Sequence, residues 1–154
     1  MRIALCQINT VVGDIEGNIK KILDFYKKAC NEKADIAVFP ELTIAGYPPM
    51  DLLDRSDFVD ECNIAIKEKI VPKVKGDCAL LIGTVTRNKN DGKPYKNSAV
   101  FIGVFGDWVC LAGLLLQFPS RIRKLKNVLN EESFLLIVTF SRFLSTKYPR
   151  KSRI

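Results

Sequence analysis

The sequence predicts an α/β domain, and three observations carry that prediction. Short apolar runs suited to burial on both faces recur along the first hundred residues. A helical apolar stripe separates the first two of them, and polar segments bearing Gly and Pro punctuate the rest.

Taken in order, Arg2 to Ile8 (RIALCQI) reads as a short buried strand, and Val11-Val12-Gly13-Asp14 with Gly17-Asn18 supplies loop chemistry. Ile19, Ile22, Leu23, Tyr26, Ala29 and Cys30 then recur at spacings of three, four and seven. This is the stripe of an amphipathic helix, with Lys20, Lys21, Lys27 and Lys28 largely on its wet side. Asp35 to Phe39 is a second strand, closed by Pro40. Asp57 is the expected cap of a second helix that turns Val59, Cys62, Ile66 and Ile70 inward and stops at Pro72. Ala79 to Val85 is a third strand, Asn88 to Lys96 a polar turn, and Ser98 to Ile102 a fourth strand.

The pattern changes near Gly103. Trp108 to Leu116 is apolar without a helical or strand period, Phe134 to Phe140 is another apolar run, and Thr146 to Ile154 is a basic tail. The net charge of +7 follows the same boundary. Residues 104–154 hold nine Lys or Arg and three acids, and the preceding part is close to neutral. The expected organisation is therefore a domain over 1–103 and a divergent, basic segment of uncertain structure over 104–154. That segment is either an ordinary helix and terminal strand or a stretch foreign to the fold, as a frame shift would produce.

Composition excludes several functions. A length of 154 residues suits one domain with one core. No apolar run approaches the roughly 18 residues of a membrane span, and no signal peptide precedes the first strand. Five cysteines at irregular spacing, with no C-x-x-C pair, are expected to be reduced thiols in a cytoplasmic protein. The chain has no histidine, which excludes Ser-His-Asp and Cys-His catalysis and the usual zinc sites within it. Confining the excess positive charge to one end argues against nucleic-acid binding.

Glu41 follows a predicted strand and a proline, at the strand end where α/β folds place ligand sites. Burial beside Phe39 and Leu42 would raise its pKa and make it a usable general base. A lone glutamate in that position is more often a solvated loop residue, and its neighbours alter that balance.

The segment Phe39-Pro40-Glu41-Leu42-Thr43-Ile44-Ala45-Gly46-Tyr47-Pro48-Pro49-Met50-Asp51-Leu52-Leu53 resembles the first catalytic segment of the nitrilase (carbon–nitrogen hydrolase) superfamily. Its Gly46-Tyr47-Pro48 and Asp51-Leu52-Leu53 parts resemble more narrowly the glutaminase domain of glutamine-dependent NAD synthetases. Ala4 to Asn9, Val12 to Asn18 and Lys96 to Ile102 agree with that family in order and spacing, so the resemblance covers residues 1 to about 103.

The resemblance implies a four-layer α-β-β-α sandwich and a Glu–Lys–Cys triad. In such a triad a thiolate attacks the glutamine side-chain amide, giving a thioester and ammonia. The glutamate moves the proton and activates water, and the lysine stabilises the oxyanion. Glu41 is the position matching the glutamate, and Tyr47 matches a tyrosine of the glutamine pocket, although a loop-packing role is equally open to it. The lysine is expected one strand after Asn97–Ile102, where Trp108 to Phe118 offers none. Lys124 and Lys126 do not fit the spacing. Cys110 is in unlike surroundings, and Cys6, Cys30, Cys62 and Cys78 read as core.

The expectation is thus a remnant of a glutamine amide hydrolase that would supply ammonia for NAD synthesis, inactive by itself. It needs no cofactor of its own, since ATP belongs to a separate synthetase domain. Two alternatives stand beside it. In one, a separate chain supplies the lysine and cysteine. In the other, the basic C-terminal region binds a membrane surface or a partner.

Overall fold

The computed structural model describes residues 1–89 and 91–104, with the backbone of 108–112. They lie in a compact unit, Met1–Gly113, and the second unit, Leu114–Ile154, falls outside the described residues. So do the expectations for Phe134 to Phe140, for the basic tail, and for Lys124 and Lys126.

Seven main elements follow one another: β1 (Ile3–Leu5), α1 (Ile15–Asn31), β2 (Ile36–Val38), α2 (Ser56–Ala65), β3 (Ala79–Arg87), β4 (Tyr95–Ile102) and β5 (Trp108–Ala112). The strands form one sheet in sequence order. β1, β2 and β3 are parallel, with Ala4 opposite Ala37 and Ala37 opposite Leu80. Long crossovers join them, α1 in the first and α2 in the second, as parallel pairing requires. β3, β4 and β5 are antiparallel, with Gly83 opposite Ala99 and Val100 opposite Cys110.

The apolar stripe forms α1 as expected. Ile19, Ile22, Tyr26 and Ala29 are buried, and they join Phe58, Cys62 and Ala65 of α2 against Ala37, Leu80, Ile82, Val100 and Ile102 of the sheet. The alternate strand positions Ile36, Leu81 and Phe101 are buried as well, so the strands are covered on both faces. Asp14, a loop residue by its sequence context, caps α1 by accepting from Gly17 N at 2.9 Å.

Four expectations change. The first strand is short and stands at one end of the described sheet order, so Leu5 is exposed rather than buried. The second helix is capped by Arg55, while Asp57 sits in the first turn and pairs with Arg55 at 2.9 Å. Its inward face is nonetheless the expected one: Val59, Cys62, Ile66 and Ile70 are all buried, the last two in a π-helical turn before Pro72. The hairpin is longer than its apolar pattern, because Thr86, Arg87, Tyr95 and Lys96 continue the ladder. Finally, the aperiodic run after Gly103 begins with a strand, β5, whose pairing with β4 supplies the regularity that its composition hides.

Candidate active site

Phe39 N still bonds to Leu81 O at 2.9 Å, and Pro40, which has no N–H, ends the ladder immediately afterwards. The chain then turns sharply. Leu42 has φ of 51°, a left-handed conformation costly for a leucine, and it persists because its surroundings fix it. Thr43 is fully buried and its hydroxyl donates to Pro40 O, while Gly46 N donates to Leu42 O at 2.8 Å.

Two further parts of the chain clamp this loop. Asn18 of α1 is fully buried, donating through Nδ2 to Ile44 O at 3.1 Å and Val11 O at 2.7 Å and accepting from Val11 N at 2.8 Å. Gly13 N donates to Ala45 O at 2.9 Å. Beneath the turn lies Gly83 of β3. A Cβ there would stand 2.6 Å from Pro40 O, 2.7 Å from Glu41 Cα and 2.7 Å from Leu42 N, closer than real Cβ contacts come. The Glu41 backbone therefore rests on the sheet where a side chain is missing.

Glu41 is exposed, not buried as its apolar neighbours suggested; Phe39 and Leu42 turn into the core and leave the carboxylate outside. Its Oε1 accepts a hydrogen bond from Nδ2 of Asn97, on β4. By the register, Asn97 opposes Val85 and Ala99 opposes Gly83, so the amide and the glycine share one face of the hairpin. Tyr47 lies beyond Gly46, before a cis peptide to Pro48, and is 62% exposed. No hydrogen bond among the described residues joins it to Glu41.

Cys6, Cys62 and Cys78 are poor nucleophiles. Burial pushes the thiols of Cys62 and Cys78 up to about 12, helped at Cys78 by nearby Cys30, and burial also raises Cys6. They are protonated at neutral pH and belong to the core, as expected. Cys110 lies mid-strand in β5, and its side chain is outside the described residues.

A cleft of about 400 Å³ lies between the start of α1 and the segment Glu61 to Lys69. Glu41 does not line it, and its Glu16 and Lys69 are already paired with each other. The strand-end corner therefore remains the candidate site. Among the described residues no cluster of Cys, Asp or Glu could hold a metal ion, and no helix is long and apolar enough to cross a membrane.

Residues 2–126 match the family profile of the carbon-nitrogen hydrolases. The chain belongs to that family. The chain is 40% identical over 83 residues to the glutamine-dependent NAD(+) synthetase of Aquifex aeolicus, an alignment covering 54% of this chain and 14% of that protein. Its structure overlays that of the glutamine-dependent NAD+ synthetase from Acinetobacter baumannii with a TM-score of 0.60 and 30% identity, over 68% of this chain and 19% of the other. An amidase from Nesterenkonia sp. shares the fold at 21% identity and TM-score 0.60, covering 77% of this chain and 44% of the amidase. The α/β, nitrilase-like architecture expected from sequence is thus the observed one. The domain is like the carbon-nitrogen hydrolase part of the NAD synthetases, and the chain spans less than a fifth of those relatives.

Sequence reasoning singles out Glu41 as a candidate and misses three residues that hold its turn or its carboxylate. Gly83 left a signal, since a glycine inside a strand marks a close backbone approach. Asn18 lies within α1, although its neighbours Gly17 and Asp14 suggest a loop. Asn97 lies in the Lys96 to Ile102 segment that resembles the family, but its contact with Glu41, 56 residues away, left no local signal.

Proposed function

We propose that this domain presents the general base of a glutamine-type amide hydrolysis and does not complete the reaction alone. The observation that carries the first part is Glu41 itself, a carboxylate on a clamped turn at the end of a parallel strand, exposed to an incoming substrate. In the reaction that the family resemblance implies, Glu41 takes the proton of a thiol as its sulfur attacks the glutamine amide carbon. The collapsing tetrahedral intermediate expels ammonia, with the proton returned to the leaving nitrogen. The carboxylate then activates water against the thioester. Tyr47 is positioned six residues further along the same loop, and its hydroxyl is available to the amide substrate.

The second part rests on the chain beyond β4. β5 is present where the cation-bearing strand is expected, yet no lysine occurs between Lys96 and Lys124. Cys110, the one cysteine after Cys78, pairs with Val100 in mid-strand rather than standing at a strand end. The described residues thus offer neither the oxyanion-stabilising cation at its expected place nor a strand-end nucleophile, and we take both to come from outside them. The chain contributes to ammonia supply for NAD synthesis only in such company, and the ATP-using step belongs elsewhere.

A glutaminase assay on the purified chain tests this. The expected result is no ammonia above background, the same for wild type and Glu41→Gln. Ammonia release abolished by Glu41→Gln would overturn the claim of incompleteness. If a second polypeptide bearing lysine and cysteine segments restores hydrolysis and Glu41→Gln leaves it unchanged, Glu41 is not the base.

A further inference from the structure

Glu41 carries a demand that its exposure makes hard to meet. A general base must lie within about 0.5 Å of its working geometry, whereas an exposed glutamate with three rotatable bonds samples many positions. The loop clamps fix the Glu41 backbone, and none of them touches the carboxylate. The group that does is the Asn97 side-chain amide.

We infer that Asn97 is a positioning residue that aims the Glu41 carboxylate; the inference rests on reading Glu41 as the base. Its side chain is exposed like that of Glu41, and its backbone is held in the sheet. Asn97 is in the β3–β4 ladder opposite Val85, next to Ser98, which is buried and shares a hydrogen bond with the Thr86 hydroxyl at 2.6 Å. Gly83 allows the Glu41 backbone down onto that ladder, within reach of an amide two residues away from Ala99 along β4.

The chemistry of an amide suits the task. Asn97 holds Oε1 and leaves Oε2 to receive a proton. A lysine or arginine in its place would favour the ionised form and resist that protonation. An amide is neutral, and by turning over it accepts through Oδ1 from the protonated acid. Asn97 thus serves Glu41 both before and after proton transfer.

The test uses the full chain labelled with ¹⁵N and ¹³C, its Asn97 side-chain signal assigned by its absence in Asn97→Ala. On acidification this signal moves through one titration step, and the step is lost in Glu41→Gln. Asn63, whose amide donates to Val59 O and Val85 O, serves as a control that does not move. In Asn97→Ala, side-chain relaxation of Glu41 approaches that of exposed Glu61, with the backbone spectrum of β3 and β4 retained. An Asn97 signal indifferent to pH and to Glu41→Gln would overturn the inference. So would a Glu41 equally ordered without Asn97. If Asn97→Ala fails to fold, the wild type and Glu41→Gln still decide. These signals do not depend on catalysis, so a failed ammonia assay refutes the functional reading separately.

Discussion

Replacing Gly83 with alanine adds one carbon at the most crowded point of the site. That carbon would meet Pro40 O, Glu41 Cα and Leu42 N at 2.6 to 2.7 Å, all backbone atoms that cannot swing aside as a side-chain tip would. Overpacking of this kind costs about 1–3 kcal/mol, and the absence of a yielding neighbour places it in the upper part of that range. Against it stands the propensity of alanine over glycine within a strand, a gain of roughly 0.5–1 kcal/mol. The net loss is therefore about 1–2 kcal/mol, or roughly 5–15 °C in Tm for a unit of this size. Thermal and urea unfolding followed by circular dichroism measures it, and the Asn97 side-chain amide signal reports whether the Glu41 contact persists. The expected outcome is a lowered Tm together with a displaced Asn97 signal, because the turn must lift to make room. Wild-type stability with an unchanged Asn97 signal would refute the claim that the turn rests on the bare glycine.

Asn18→Ala leaves Ile44 O without this partner in the interior, where an unsatisfied group costs about 1–3 kcal/mol, and removes two further bonds to the half-exposed Val11, each worth about 0.5–1.5 kcal/mol. A total loss of at least about 2 kcal/mol by urea titration is expected, and a loss below about 0.5 kcal/mol would show that the clamp is dispensable. Stability also depends on alkaline pH. Cys62 and Cys78 titrate near 12 in the folded chain and near the ordinary thiol value of 9.0 when unfolded. The unfolded chain thus releases protons first, and stability is level below pH 9 and falls as pH rises from 9 towards 12. Urea midpoints across that range check this, and Cys62→Val should flatten part of the slope. Gly46→Ala combines a φ of 79° with a Cβ 2.6 Å from Val11 O, so it is expected to destabilise more than Gly76→Ala. Gly76 has φ of 89° and open space around it, and equal Tm losses would leave the close approach to Val11 without energetic weight.

Elements whose order is local were legible in the sequence. The α1 stripe alone specifies which residues turn inward, and the run Ala79 to Val85 announces a strand buried on both faces. β5 was illegible because Trp108 to Ala112 alternates no polarity, and only the register with β4 makes it a strand. The same distinction divides the site. Glu41 could be singled out from adjacent residues, but they left burial and exposure both open, since the outcome depends on Leu42 adopting positive φ and turning inward. Asn18 and Asn97 act through contacts 26 and 56 residues away, and although both lie in segments that resemble the family, nothing local shows which partners they meet. Asp57 misled for the opposite reason: it is a good capping residue standing two positions past the actual cap.

The clamps around Glu41 come from Val11 to Asn18, from β3 and from Asn97, all upstream of Gly103. Every clamp described on the corner thus lies before the point where the sequence pattern changes, and β5 adds only its pairing with β4. An incoming polypeptide carrying a lysine and a cysteine would dock against a finished template and would pay no cost to organise the carboxylate. Affinity between two such pieces would then depend only on how well they seat, and a later change in one piece would leave the geometry of the other intact.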